Sequence, residues 1–198
     1  MPDEGYVNFF EILGLDETAK PGPVRKQYKR LMKELVMEIG RVEITEERRA
    51  RYLLEMAKLN AAFFVLRGNE TRDAYWNERE EVMALEQQWR EAAQRGADSA
   101  DALRRAFDVK CRDFLSKYLE EVMLTAGRDK NCVEASHWNA AHERHASRLL
   151  RQFRHSAYRQ ILERLPFSEV TPPQIDWDER AQTAAAILAE TTATRKGR

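Results

Sequence analysis

Apolar residues recur at every third or fourth position over most of the chain, a spacing that places them on one face of an α-helix. No interval alternates apolar and polar residues as a half-buried strand would. The pattern predicts helices over residues 8–13, 21–39, 45–66, 70–95 and 99–127, another from 131 to just before Pro166, and a last one that opens at Asp176. We therefore predict an all-α fold.

Capping residues and prolines mark several helix boundaries. Thr45 is predicted to cap the third helix, and Asn131 with Glu134 has the spacing of a capping box for the sixth. The second and third helices carry facing apolar stripes and a short connection, so they are predicted to pack as an antiparallel hairpin.

These elements suggest three regions. Residues 1–78 would form a domain around the hairpin, and residues 79–166 a C-terminal helical region with long helices. Residues 167–198 would form an extended arm, held straight by Pro172 and Pro173, followed by a short helix and a polar tail. Trp177 and Leu188 lie on the apolar face of that last helix, and we predict that they bind a neighbouring subunit. The alternative is that this helix folds back on its own domain.

Four motifs in the first third of the chain follow one another in a recognisable order: NFFEILGL, VRKQYKRLMKEL, LNAAFFVL and NETRDAYW. They resemble the J domain of DnaJ-type co-chaperones. In that family a helix reading roughly YYEILGV is followed by IKKAYRKLALKY, by INEAYEVL and by a segment like PEKRAxYD. The resemblance implies a J-like helical hairpin in residues 1–78.

The chain departs from the family at the position that matters most for activity. J domains stimulate the ATPase of a DnaK-type chaperone through a His-Pro-Asp tripeptide after the second helix, and the matching positions here hold Val36, Met37 and Glu38. The family's activity is therefore not carried over. The second helix keeps a basic face, which is either a docking face for such a chaperone or simply a solvated surface: Arg25, Lys26, Lys29, Arg30 and Lys33.

Apolar residues outside the main stripes suggest a surface with a new use. Met32 and Val36 widen the apolar arc of the second helix, and Phe64 stands where the family usually has a polar residue. We predict that Met32, Val36, Met37 and Phe64 contact a partner subunit. The alternative is that the C-terminal helices of the same chain cover them.

A basic stripe runs along the sixth predicted helix, with spacings of four, three, four and four: Arg144, Arg148, Arg151, His155 and Arg159. The four arginines are candidate contacts for acidic protein, RNA phosphate or anionic lipid headgroups. The alternative is an exposed face balanced by nearby Glu143 and Glu163.

No catalytic or metal site is predicted. Cys132, His137, His142 and His145 lie close in sequence, but His137 and His142 would point about 140° apart on a helix, and structural zinc needs four converging ligands. We expect His145 to be a half-buried core residue instead. Without a phosphate-binding loop, paired carboxylates or a nucleophile elbow, neither an enzyme nor a cofactor is expected.

Charge and composition limit the remaining classes. The 33 basic and 33 acidic residues give a formal net charge of zero, so no global attraction to nucleic acid is expected. Two cysteines indicate a reducing intracellular compartment, and no apolar run approaches the ~20 residues of a membrane span. The first ten residues lack arginine, so the compartment would be cytoplasmic, or mitochondrial without a cleavable presequence.

The expected function is that of a non-catalytic J-like accessory subunit or scaffold in a larger protein complex. A divergent co-chaperone that docks a DnaK-type chaperone is the alternative. A ribonucleoprotein component that binds RNA through the arginine stripe is a weaker one.

Overall fold

The computed structural model describes residues 5–40, 44–163 and 165. It contains eight α-helices in that part of the chain and no strand: α1 Phe9–Ile12, α2 Pro21–Ile39, α3 Glu46–Leu66, α4 Asn69–Gln94, α5 Ala100–Ser116, α6 Val122–Arg128, α7 Lys130–Ser136 and α8 Ala140–Glu163. The all-α prediction is confirmed. The predicted arm and last helix, with Trp177 and Leu188, lie outside the described residues.

Helices α2 and α3 form an antiparallel hairpin, as their facing apolar stripes predict. The ring of Tyr28, near the start of α2, stacks on that of Phe63, near the end of α3, with centroids 4.3 Å apart. The Tyr28 hydroxyl also donates a hydrogen bond of 2.8 Å to Oδ1 of Asn60. These contacts bring the start of one helix to the end of the other, so the two run in opposite directions.

The N-terminal segment and the C-terminal helices share one core. The Tyr75 hydroxyl, on α4, donates to the backbone oxygen of Val7 at 2.6 Å, and that of Tyr6 donates to Oε2 of Glu86 at 2.7 Å. The segment is thus bound to α4 on both sides of residue 78, and the chain up to Pro166 is one compact unit. The boundary predicted at 78/79 falls inside an uninterrupted helix, so the predicted division into two regions is not present.

The sixth predicted helix is divided in two. Asp129, rather than Asn131, caps α7 by accepting from the backbone nitrogens of Asn131 and Cys132. The chain then leaves the helical path at His137, whose φ of 54° is left-handed. Trp138 is buried at this break, and its indole packs so closely on Gly127 that a Cβ there would lie 2.7 Å from its Nε1. Asn139 then caps α8 by accepting from the backbone nitrogens of Ala141 and His142. The prediction of one continuous helix from 131 was wrong.

Helix α5 continues into α6 through a π-helical turn, Lys117–Glu121. The buried face before the turn includes Phe107, Cys111 and Phe114, and the one after it includes Met123 and Ala126. Among the described residues, no helix combines the length and hydrophobicity needed to cross a bilayer.

Candidate protein-interaction site

Met32 is completely buried within the chain, with 0% of its surface exposed. It continues the inner face of α2 that begins with Val24 and Tyr28, four residues apart in each step. The prediction that Met32 contacts a partner was wrong, because the chain's own core covers this side chain.

The positions matching the J-domain tripeptide lie in the last turns of α2, since that helix runs on to Ile39. Val36 is half-buried, whereas Met37 is 63% exposed. Met37 is therefore a large apolar side chain that the described part of the chain leaves mostly open to solvent. Of the predicted partner-binding residues on α2, it is the one best placed to contact another molecule.

Phe64 lies at the other end of the hairpin and is half-buried. The guanidinium carbon of Arg67 lies 4.9 Å from the centre of its ring, so part of this aromatic face is covered by the chain itself. In an antiparallel pair, the end of α2 is next to the start of α3, and Phe64 is near the end of α3. The structure therefore does not bring Met37 and Phe64 together in one surface.

Arg67 links the hairpin to α7. Its guanidinium donates two hydrogen bonds of 2.8 Å to the two carboxylate oxygens of Asp129, the residue that caps α7. The hydrogen bond from Arg67 holds the pKa of the Asp129 carboxyl below its usual range. This bidentate pair fixes the end of α3 against the start of α7.

The thiol of Cys132 lies beneath that pair, in the core. Its Sγ is 3.7 Å from the backbone oxygen of Asn60, and burial raises the pKa of the Cys132 thiol to about 12. The thiol is protonated at neutral pH, which is the opposite of the state that a nucleophilic cysteine requires.

The four arginines predicted as contacts on α8 are all exposed. Glu120 pairs mainly with Arg154, at 3.0 Å, and its other oxygen is 3.9 Å from Nε of Arg151. Glu143 is hydrogen-bonded to Arg128, so it does not neutralise the stripe. Within the described residues, no ion pair involves the other three arginines: Arg144, Arg148 and Arg159.

The histidines on α8 differ from expectation. His145 is exposed, so the prediction that it is a half-buried core residue was wrong. On α8 the residues that face the core are Ala146 and Leu150 rather than His145. His142 is half-buried; its Nδ1 accepts a hydrogen bond from the Asn139 nitrogen, and burial lowers its pKa. In the described ranges, no group of three His, Cys, Asp or Glu side chains is arranged to hold a metal ion.

A groove of about 550 Å³ lies between α3 and α8, next to the end of α2. Its floor is aliphatic, formed by Ile39, Leu53, Met56 and Leu149. Its rim is polar and, among the described residues, includes two arginines: Arg49, Arg148, Glu46, His142, His145 and Gln152. Sequence reasoning missed this groove, because its two walls are about 90 residues apart along the chain. The one local signal was the adjacency of Leu149 to the arginine stripe.

Comparisons of the chain with models of protein families, with curated proteins and with solved structures give no match. The class established by the structure is that of an all-α protein. The resemblance to J domains stays a prediction that depends on the order of four motifs in α1, α2, α3 and the start of α4.

Proposed function

We propose that this chain is a non-catalytic, J-like accessory subunit of a larger protein complex. The four motifs that resemble a J domain lie in successive helices, and the second and third of these helices form a hairpin joined by the Tyr28–Phe63 stack. Both cysteines are buried and neither forms a disulfide, which fits the reducing cytoplasmic or mitochondrial compartment that we assign to the complex.

The observation that carries the proposal is the state of residues 36–38. In a working J domain these positions form the His-Pro-Asp signal after the second helix, whereas here they continue α2 and expose Met37. A methionine that is 63% exposed supplies apolar contact area and flexible packing, which are useful for binding another protein. None of the three residues carries the imidazole or the proline of the ATPase signal.

The chain is expected not to stimulate a DnaK-type ATPase. The measurement is single-turnover ATP hydrolysis by the chaperone, with saturating chain, beside a J protein that retains His-Pro-Asp as the positive control. We expect less than about a tenfold change in rate, equivalent to about 1.4 kcal/mol of barrier. Stimulation above that level would overturn the non-catalytic assignment.

The native protein is expected to purify in an assembly of fixed stoichiometry. The measurement is size-exclusion chromatography with mass determination, before and after treatment with ATP and with ribonuclease. The assembly should survive both treatments, because folded subunits hold it together through apolar contacts. Recovery of the chain as a free monomer would contradict the proposal, and loss of the assembly with ribonuclease would favour the ribonucleoprotein alternative.

A second candidate function, docking of a DnaK-type chaperone without activation, is favoured by the basic face of α2. Arg25, Lys26, Lys29 and Lys33 are exposed, while Arg30 forms an ion pair with Glu34 at 2.8 Å. Exposed charges mainly steer association and add little affinity, so this face alone is a weak anchor. Release of a copurifying chaperone by ATP would favour this candidate over a stable subunit.

A further inference from the structure

The groove between α3 and α8 has the dimensions of a helix-binding site. Its α3 wall extends from Glu46 to Met56 and its α8 wall from Ala141 to Gln152. At 1.5 Å of rise per residue, each wall is about 15 Å long, or roughly three helical turns. Both walls are helices, so a third helix laid between them would pack by the ordinary rules for helix pairs.

The floor of the groove is apolar and favours an apolar ligand. Leu53 and Met56 are buried at its base, and Ile39 and Leu149 are half-buried beside them. These side chains are aliphatic, so they offer no aromatic surface on which a nucleic-acid base could stack. An apolar face of a helix, with residues spaced by three and four, matches this floor.

The two arginines on the rim favour a ligand that is acidic on its flanks. Arg49 and Arg148 lie on opposite walls, and both are exposed. Arg148 has no ion-pair partner in the described part of the chain, and Nη1 of Arg49 is 3.7 Å from Oε1 of Glu46 in a solvent-exposed pair. Arg144 adds a further exposed cation one turn before Arg148 on α8. Among the described residues that line the groove, Glu46 is the one carboxylate.

We propose that this groove binds an acidic amphipathic helix of a partner protein. The apolar face of the helix would pack on Ile39 and Leu149, the half-buried side chains of the floor, and its flanking carboxylates would pair with Arg49 and Arg148. This inference rests on the proposed function, because it names the chemistry of a partner for the same binding subunit.

The test uses the full chain and a synthetic helical peptide of about 18 residues, long enough to form a helix. The peptide carries leucines on one face, at helical spacing, and glutamates on the flanks. A control peptide has lysine at each glutamate position. Fluorescence anisotropy measures binding of each labelled peptide, and hydrogen exchange locates it. We expect the acidic peptide to bind at least about tenfold more tightly than the basic one and to protect residues 46–56 and 141–152.

Two double variants with the same change in net charge test whether the acidic peptide binds in the groove. Arg49→Glu with Arg148→Glu reverses the charge on both walls of the groove. Arg95→Glu with Arg105→Glu reverses two exposed arginines that neither line it nor belong to the predicted contacts on α8. The first variant should weaken binding of the acidic peptide at least about tenfold, and the second should leave it close to the unaltered chain. Circular dichroism on both checks that the helices remain folded.

Several results would overturn the inference. One is absence of binding by the acidic peptide, and another is equal weakening by the two variants, which would indicate non-specific attraction. Displacement of the peptide by phosphatidylserine vesicles would indicate that the groove binds lipid. Self-association that is lost in Arg49→Glu with Arg148→Glu, but not in the control variant, would indicate that the groove binds a second copy of this chain. If the groove variant still enters the native assembly in normal amount, this inference fails while the proposed function stands. If no native assembly exists, the proposed function fails regardless of the peptide result.

Discussion

Replacing Met32 with glutamate is expected to unfold the protein, whereas the same replacement at Met37 leaves the fold intact. Both residues lie on α2, but Met32 is 0% exposed and Met37 is 63% exposed. Burying a carboxylate without a partner costs several kcal/mol, a large share of the roughly 5–15 kcal/mol that stabilises a typical domain. An exposed substitution usually changes stability by about 0.5 kcal/mol or less.

Thermal and urea unfolding followed by circular dichroism measure this difference. Met32→Leu is the matched control, since a volume-conserving change in a core should cost less than about 1.5 kcal/mol. If Met32→Glu were as stable as the unaltered chain, the burial described for α2 would be wrong. Met37→Glu should stay folded yet be lost from the native assembly, and normal incorporation of this variant would remove Met37 from the contact surface.

Replacing Asp129 with alanine is expected to lower the free energy of unfolding by about 2–4 kcal/mol, because this carboxylate has two structural roles. It accepts both hydrogen bonds of the bidentate pair from Arg67, and it caps α7 by accepting from two backbone nitrogens. The variant leaves the guanidinium of Arg67, only 28% exposed, without its carboxylate partner. Urea unfolding measures the loss, and Asp98→Ala, at an exposed position, is the control expected to stay within about 0.5 kcal/mol. Equal stability of the two variants would contradict the role assigned to the pair.

The same pair predicts a dependence of stability on pH. The pKa of Asp129 is lower in the folded chain than in the unfolded one, so its ionised form stabilises the fold at pH values above the unfolded pKa of about 3.9. This contribution is lost as the pH falls through the folded pKa, because both states then bind the proton. As the pH falls from 5 to below the folded pKa, the difference in the free energy of unfolding between the unaltered chain and Asp129→Asn should therefore shrink. A constant difference over that range would show that ionisation of Asp129 does not stabilise the fold.

Most helices could be predicted because their apolar spacing and their end signals agree. Thr45 caps α3 as predicted, by accepting from the nitrogen of Arg48. The break between α7 and α8 was missed although it has a local signal, because Asn139 caps α8 by accepting from the backbone nitrogens of Ala141 and His142. The packing of Trp138 on Gly127 is a tertiary contact that helical periodicity does not predict. His145 was then misplaced, because its assignment assumed an unbroken helix.

Only those features of the candidate site that depend on a single helix could be predicted from the sequence. The exposure of the arginines on α8 follows from their spacing, but the burial of Met32 does not, because the sequence allows an inner face centred on Leu31 and Leu35 as well as the observed one. The groove depends on which helices meet, and periodicity carries no information about that. The α3–α8 contact had to be seen before Arg49 and Arg148 could be related.

The π-helical turn at Lys117–Glu121 changes the phase of the long helix that it interrupts. In a regular α-helix, the face bearing Phe114 and Tyr118 would continue to Glu121 and Thr125, yet both of these are exposed, and Met123 is buried instead. The wider turn accommodates one extra residue, which would otherwise rotate everything after it by about 100°. With one residue fewer in this turn, the helix would be α-helical throughout. The part after the turn, α6, would then present the same buried face to the core without a widened turn. The turn therefore has the form of a single-residue insertion that the helix has absorbed within one turn.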